Sequence, residues 1–235
     1  MADKVLYLVA DPLTGTWIES RNSTAESLMD SYSVGEPLMD CYAVMAERIL
    51  EAVRQGHQTC AIFYGHPAVF VHPSHEVIRL ARDEGFEAQM QPGISAEDCL
   101  FADLGVDPAN NGCQSFESAD FLLYRRRFDP SCALILWQVG VIGTNTVQRM
   151  RNTPPGPLRV LVDRLLEDYP AEHEVLIYEA SQFTVCEPMI QRVPLKELPA
   201  ADVSGIATLF VPPLSRPPED AETRALLEQD GYVLD

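Results

Sequence analysis

Two short loops constrain this fold more than any other feature of the sequence. Residues 63–71 read F-Y-G-H-P-A-V-F-V and residues 91–98 read Q-P-G-I-S-A-E-D; each follows a strand-like segment and precedes a helical pattern. Glycine permits close backbone approach or a positive φ, and proline fixes the direction of the chain. Either loop alone is typical of a simple turn. As a pair at successive strand ends, they predict a ligand crevice at one edge of a parallel sheet.

The segments before and between the loops predict alternating strands and helices. Residues 5–10 and 59–64 are apolar, strand-like runs. Residues 14–36 are polar and turn-rich, which predicts a loop with a short helix. From Asp40, apolar residues recur at helical spacing until Gly56, which ends the predicted helix.

A second helix is predicted over residues 74–84 and a short strand over 87–91. Ser95 fits an N-cap with Asp98 three residues later, which predicts a capping box at the next helix. Because strands and helices alternate, we expect right-handed crossovers and a parallel sheet.

The second half of the chain predicts a different, mixed sheet. A proline-rich stretch at 153–157 leads into an amphipathic helix, and the residues from Arg216 onward are acidic and predict a peripheral helix. The predicted strands cover residues 118–124, 133–139, 175–178 and 206–211.

The predicted fold class is therefore α/β with two domains. Residues 1–112 would form the first domain, 113–215 the second, and 216–235 an acidic tail. A length of 235 residues is enough for this arrangement.

Charge and composition exclude several classes of function. The formal net charge of −18 argues against nucleic acid as a partner, because a phosphate backbone requires a cationic surface. The sequence has no apolar run of membrane-spanning length and no signal peptide at its start, so we expect no membrane association and a cytoplasmic location. No G-x-G-x-x-G or Walker lysine is present, so neither a dinucleotide nor a nucleoside triphosphate is predicted.

The cysteines and histidines do not predict a metal site. The 6 cysteines are scattered with no C-x-x-C pair, as expected for reduced thiols in the cytosol. His66, His72 and His75 are close in sequence, but their spacing matches no zinc motif. Trp17 and Trp137 are interpreted as packing residues.

Several motifs together resemble one enzyme family. The segments Y-G-H-P-A-V-F-V-H-P-S-H, R-D-E-G-F-E-A, Q-P-G-I-S-A-E-D-C-L-F-A-D-L-G-V-D-P and L-W-Q-V-G are similar to those of the borosin-type peptide α-N-methyltransferases. These enzymes belong to the tetrapyrrole-methylase group (class III), which uses S-adenosylmethionine. The likeness is densest over residues 40–143 and continues more loosely to residue 213.

The resemblance implies a cofactor folded into a cleft between two domains. It also implies an interlocked homodimer that methylates backbone amide nitrogens of a precursor peptide. Because residues 219–235 are acidic and unlike an apolar core peptide, we expect a separate peptide, as in the split branch of the family. The residues that would line the site for S-adenosylmethionine are Tyr64, His66, Pro67, Val69, Phe70, Ser95, Ala96, Gln138, Tyr178, Ala207 and Thr208.

The resemblance also suggests the catalytic residues. The family pattern Y-x-x-x-x-P-R-x-x-x-Y corresponds here to residues 32–42, in which Tyr32 and Tyr42 are present and Leu38 occupies the arginine position. Met29 replaces a further tyrosine that is often found there. A cation lost at Leu38 would remove stabilisation of developing negative charge, unless Arg125–Arg127 supply it from elsewhere.

A second departure concerns the start of the chain. Family members open with an additional strand, a glycine-rich loop and a helix before the segment that matches residues 5–11, so the first sheet is expected to lack its first βα unit. Two alternatives therefore stay open beside the peptide methyltransferase. One is a methyltransferase of the same fold that acts on a small molecule, and the other is a catalytically impaired homologue that binds the cofactor or a peptide.

Overall fold

The first sheet has three parallel strands. The computed structural model describes residues 2–9, 11–147, 153–183, 185–229 and 231. Within them, β1 (Lys4–Leu8) lies between β2 (Glu26–Ser27) and β3 (Thr59–Phe63), in the order β2-β1-β3. Both neighbours run parallel to β1, as the alternation of strands and helices predicted.

Strand β1 is buried on both faces because helices cover each side of the sheet. Leu6 and Leu8 pack with α2 (Leu38–Arg54) and α3 (His72–Asp83) on one face. Val5, Tyr7 and Val9 pack on the opposite face with Ile18 of α1 (Pro12–Arg21). The near-continuous apolar run in the sequence follows from this double coverage.

Helix α1 is more regular than the sequence predicted. The expected loop with a short helix is a helix of 10 residues, with Pro12 in its first turn. Asp11 caps it, and its carboxylate accepts a hydrogen bond from the Thr14 amide at 2.7 Å. Cap and proline therefore compensate for a weakly amphipathic sequence.

The predicted strand at residues 87–91 is wrong. These residues form no strand in the structure. The guanidinium group of Arg82 donates to the carbonyl oxygen of Ala88 at 2.7 and 3.0 Å. This carbonyl therefore has a side-chain partner in place of the backbone amide of a neighbouring strand. The capping box is confirmed at α4 (Ala96–Leu104), where Ser95 and Asp98 exchange hydrogen bonds of 2.7 and 3.2 Å.

A second, mixed sheet of five strands follows the short helix α5 (Pro108–Asn111). Its order is β4-β5-β8-β6-β7; β4 and β5 are parallel, and the remaining pairs are antiparallel. The mixed sheet is as predicted, although β7 was not foreseen. The strands are β4 (Cys113–Glu117), β5 (Ala133–Trp137), β6 (Glu174–Glu179), β7 (Met189–Pro194) and β8 (Thr208–Val211).

The predicted strand at residues 118–124 is also wrong, because that segment begins helix α6 (Ser118–Leu123). The carboxylate of Glu117 accepts a hydrogen bond from the Asp120 amide at 2.6 Å and caps the helix. The actual strand is β4, which lies just before it. A short apolar run carries no clear periodicity, so the cap decides between strand and helix.

Helices cover both faces of the second sheet. Helix α6 and α7 (Pro155–Leu165), which was predicted, pack on one face. Helix α4 packs on the other face through Leu100. A helix from the first predicted domain thus contributes to the core of the second, and the division at residue 112 stays a prediction.

The last described helix is α8 (Ala221–Gln229), which has no buried residue and lies at the periphery, as predicted. Among the described helices, none has the length and hydropathy needed to cross a bilayer.

Candidate active site

The loop after β3 is braced by the first turns of α3. Gly65 has a φ of +70°, which favours glycine. The Ala68 amide donates to Nδ1 of His66 at 3.0 Å, and the Ala68 carbonyl lies 3.0 Å from Nε2 of His75. The hydroxyl of Ser74 donates to the Pro67 carbonyl. Two of the three clustered histidines therefore hold the loop in shape.

The second loop touches the first. The sequence predicted two loops at successive strand ends, but residues 87–91 form no strand, so the second loop does not follow one. A Cβ atom on Gly93 would lie 2.6 Å from the carbonyl oxygen of Gly65 and 3.3 Å from Cα of His66. Only glycine permits this approach, since real Cβ atoms do not come so close to backbone. The loop then enters α4 through Ser95, which is buried, and Ala96, which is exposed.

An aromatic contact joins the first loop to the second sheet. The rings of Phe70 and Trp137 have centroids 5.6 Å apart at an interplanar angle of 46°. Phe70 has a φ of +55°, and Gln138, directly after Trp137, has a φ of +58°. Non-glycine residues in this left-handed region are strained, and such strain is common at ligand sites.

The remaining predicted cofactor residues lie at the same end of the second sheet. Tyr178 pairs with Thr208 across β6 and β8, and Leu136 pairs with Leu209 across β5 and β8. Because β5 and β8 are antiparallel, the last pair places Trp137 and Gln138 beside Thr208 and Ala207. Gln138 is exposed, whereas Tyr178, Ala207 and Thr208 are buried and form the wall behind it.

The phenol group of Tyr178 is already engaged. It donates a hydrogen bond to the Asp103 carboxylate at 2.7 Å and so ties β6 to α4. Burial and the neighbouring carboxylate raise the pKa of Tyr178 above its ordinary value. This side chain therefore holds the wall of the crevice in place.

Tyr32 and Tyr42 form a pair beside the first loop. Their ring centroids are 6.3 Å apart in an edge-to-face arrangement, and both side chains are half-buried. Burial, with the neighbouring phenols, raises the pKa of Tyr32, and burial also raises that of Tyr42. The phenol of Tyr64 interacts electrostatically with both of them. The predicted catalytic pair thus lies in the neighbourhood of the predicted cofactor loop.

His72 is a neighbour of this pair that the sequence did not identify. Its ring stacks on Tyr42 with centroids 5.9 Å apart and an interplanar angle of 29°. The sequence showed His72 only as one of three clustered histidines. Its helical register at the start of α3 is what turns it toward Tyr42.

Backbone hydrogen bonds join the segment between Tyr32 and Tyr42 to the chain that follows β5. The Leu38 amide donates to the Asn145 carbonyl at 2.9 Å. The Gly35 amide donates to the Val147 carbonyl at 2.9 Å, and Pro37 forms an isolated β-bridge with Thr146. These backbone contacts therefore connect the segment that carries the two tyrosines to residues 145–147.

Two of the three arginines of the basic turn are engaged elsewhere and do not replace the missing arginine. Arg125 pairs with Glu167 at 2.8 Å and Arg126 pairs with Asp120 at 2.7 Å, both on the far side of the second sheet. A different cation, Arg48 of α2, donates to Asp30 at 2.6 Å and to Ser31 at 3.1 Å, directly before Tyr32. No sequence pattern indicated this position of Arg48.

Two surface cavities lie away from the crevice. The first, of about 440 Å³, is lined by α7 and the 3-10 turn Leu195–Ala200. The second, of about 330 Å³, lies at the end of the second sheet that is opposite to Trp137. Neither is lined by a predicted site residue. Within the described part of the chain, no three histidine, cysteine or acidic side chains converge as metal ligands would.

Comparison with known proteins identifies the family. Residues 2–199 match the family described as Tetrapyrrole (Corrin/Porphyrin) Methylases. A curated protein of Gymnopus fusipes, named as a methyltransferase and gymnopeptides precursor, is 45% identical over 90% of this chain and 51% of its own length. The methyltransferase and omphalotin A precursor of Omphalotus olearius is 39% identical over 92% of this chain and 52% of its own length.

Solved structures share the fold at low sequence identity. A cobalt precorrin-4 methyltransferase matches with a TM-score of 0.59 and 15% identity over 90% of this chain and 84% of its own. The uroporphyrin-III-C-methyltransferase of Thermus thermophilus matches with a TM-score of 0.58 and 18% identity, over 90% and 83%. Both likenesses confirm the predicted α/β architecture.

The chain spans about half the length of the curated relatives that it matches. The family match itself covers most of the chain, from the first sheet to β7 of the second, including the loops that meet at Phe70 and Trp137. The chain therefore belongs to the tetrapyrrole methylase family, and it is similar to curated borosin methyltransferases.

Proposed function

We propose that this protein is an S-adenosylmethionine-dependent methyltransferase that methylates backbone amide nitrogens of a precursor peptide supplied as a separate chain. Membership of a methylase family supports the reaction type. The names of the curated relatives, which join a methyltransferase to a cyclic peptide precursor, support a peptide as acceptor.

The crevice offers suitable chemistry for the methyl donor. Tyr64, Phe70 and Gln138 combine exposed aromatic surface with an amide group at the carboxyl ends of two strands. Such a mixture suits a molecule with an adenine ring, ribose hydroxyls and an amino-acid end. The proposed binding residues, some through backbone atoms, are Tyr64, His66, Pro67, Val69, Phe70, Ser95, Ala96, Gln138, Tyr178, Ala207 and Thr208.

The bound donor supplies an electrophilic methyl carbon on a sulfonium centre. The task of the protein is then to hold an acceptor nitrogen in line with that carbon and to exclude water. The glycine contact between Gly93 and Gly65 and the histidine-braced Ala68 fix the loop geometry that this alignment requires.

The tyrosine pair carries the proposal for an amide acceptor. An amide nitrogen is a poor nucleophile, so a site must stabilise negative charge on the amide oxygen as the nitrogen reacts. Because the pKa values of Tyr32 and Tyr42 are raised, both phenols are protonated at neutral pH and are hydrogen-bond donors. We assign them to the amide oxygen rather than to removal of the N–H proton.

Leu38 lowers the expected rate without removing these donors. A cation at this position would stabilise the same negative charge, and a lost electrostatic contact of this kind costs about 3 kcal/mol, or about two powers of ten in rate. We expect slow but measurable turnover. We also propose a homodimer, which would cover exposed apolar side chains such as Ile94.

The test is methylation of a co-expressed peptide. The protein is produced with an apolar precursor peptide, and the peptide is sequenced by tandem mass spectrometry, with a Tyr32→Phe/Tyr42→Phe double variant as the control. Backbone methylation by the wild type and its loss in the double variant would support the proposal. If the wild type leaves every peptide unmodified while it binds S-adenosylmethionine, the peptide assignment is lost and a binding homologue is favoured.

A further inference from the structure

Trp137 carries a buried donor that the proposed roles leave unexplained. Its side chain is only 5% exposed, and its indole Nε1 has no hydrogen-bond partner among the described residues. Indole N–H groups normally find an acceptor when buried, because an unsatisfied donor is costly. Unpaired buried donors are rare in native proteins and call for an explanation.

The position of Trp137 points to a ligand as the missing partner. It is the last residue of β5, at the strand end where open α/β sheets bind ligands. Its ring faces the same side of the sheet as Tyr178, whose hydroxyl is satisfied by Asp103. The crevice therefore contains one satisfied and one unsatisfied polar group on the same face.

The other two buried polar atoms without a hydrogen-bond partner in the described part of the chain lie elsewhere in the fold. Nε of Arg164 and the hydroxyl of Tyr169 are also without partners among the described residues. Both lie on the opposite face, where Arg164 stacks on Phe121 and Phe128 and its other nitrogens bind Asp168 and a backbone carbonyl. Among these three atoms, only the indole of Trp137 adjoins the loops of the proposed donor site.

Phe70 is the aromatic neighbour of Trp137 on the first loop. Its ring packs on Trp137, yet it remains 49% exposed, so displacement would sacrifice little burial. The backbone is left-handed at Phe70 and again at Gln138, on either side of the contact. A ligand that seats against the loop can thus take the place of the Phe70 ring.

We infer that the indole N–H of Trp137 donates a hydrogen bond to an acceptor atom of the bound methyl donor, after the Phe70 ring has moved aside. This inference rests on the proposed function, since it takes the donor to bind in this crevice. The acceptor is an oxygen or ring nitrogen of the donor, and Trp137 is a binding residue instead of the packing residue that the sequence suggested.

The chain offers a matched control for the test. It contains 2 tryptophans, and Trp17 lies exposed on α1 with the guanidinium group of Arg21 over its ring at 5.4 Å. In a Trp17→Phe background, the single indole N–H signal of ¹⁵N-labelled protein reports on Trp137 alone. The probe is S-adenosylhomocysteine, the demethylated product, which binds without turnover.

Calorimetry is run on the Trp17→Phe protein and on the Trp17→Phe/Trp137→Phe protein, and the NMR signal is followed through the same titration. We expect a downfield shift of the indole proton on saturation and a dissociation constant about three- to tenfold higher without the indole. Saturable binding with an unmoved signal overturns the inference and leaves the proposed function intact. Absence of binding to the Trp17→Phe protein overturns both. If Trp137→Phe fails to fold, the NMR titration alone decides.

Discussion

The strands that lead into the two halves of the proposed site differ in burial. Every residue of β5 and β8 is buried, whereas no residue of β3 is. The first sheet supplies the exposed Tyr64–Phe70 loop and the core against which Tyr32 and Tyr42 pack. The second supplies a rigid wall through Trp137 and Tyr178. The comparison teaches that the more exposed aromatic side chains of the proposed site follow the less buried strand, whereas its buried aromatic side chains belong to the more buried ones.

The largest expected effect concerns the tyrosine pair. Tyr42→Phe removes a phenol donor and should lower the turnover number for peptide methylation by about 10²- to 10³-fold, since the amide oxygen loses one hydrogen bond. Stopped assays quantified by mass spectrometry measure it. Tyr124→Phe, at a 70% exposed tyrosine on the second sheet's periphery, is the control and should retain wild-type turnover. Equal turnover in both variants would contradict the role of Tyr42.

The second effect tests the difference in burial directly. Ile135→Ala in β5 opens a cavity at a fully buried position and should lower the free energy of unfolding by about 2–5 kcal/mol. Ile62→Ala in β3, where the side chain is only half-buried, should cost about 1 kcal/mol. Urea denaturation measures both. Equal losses would mean that the two sheets are equally well packed.

A third effect concerns the glycine contact between the two loops. Gly93→Ala places a Cβ 2.6 Å from the Gly65 carbonyl, so the loops must separate. We expect a loss of about 1–3 kcal/mol in the free energy of unfolding and weaker binding of S-adenosylhomocysteine. Gly156→Ala, in the first turn of α7 with no atom within 4 Å of the added Cβ, is the matched control and should be neutral or slightly stabilising. Unchanged binding in Gly93→Ala would show that the loop contact is dispensable.

The smallest effect is a pH dependence at the rigid wall. The pKa of Tyr178 is raised above 10.0 in the folded protein, so its stabilisation is fully present below about pH 10 and is lost as the pH rises further. Tyr178→Phe should cost about 1 kcal/mol at pH 7 and should reduce the alkaline loss of stability. Thermal unfolding between pH 7 and pH 11 measures both quantities. An identical alkaline loss in wild type and variant would assign it to other tyrosines.

The sequence predicted those elements whose signals are local and unambiguous. The helical face after Asp40 and the capping box at Ser95 were both predicted and confirmed. Each depends on the spacing of side chains or on a residue type that favours one particular backbone conformation. Tertiary neighbours matter little at these positions.

The elements that were missed depend on contacts distant in sequence. Residues 118–124 have no clear period, and the Glu117 cap makes them helical. Residues 87–91 were taken for a strand, but Arg82 occupies the Ala88 carbonyl. In the site, the stacking of His72 on Tyr42 and the approach of Arg48 to Ser31 follow from helix packing. The cofactor residues and the catalytic tyrosines stay predictions that the geometry is consistent with.

The pairing of Gly35, Pro37 and Leu38 with residues 145–147 has a consequence for how the two halves act together. A backbone clip of this kind transmits displacement, because its carbonyl and amide groups leave little slack. Residues 35–38, which lie between Tyr32 and Tyr42, are therefore held in register with residues 145–147, which follow β5. Neither segment can shift alone without breaking these backbone contacts.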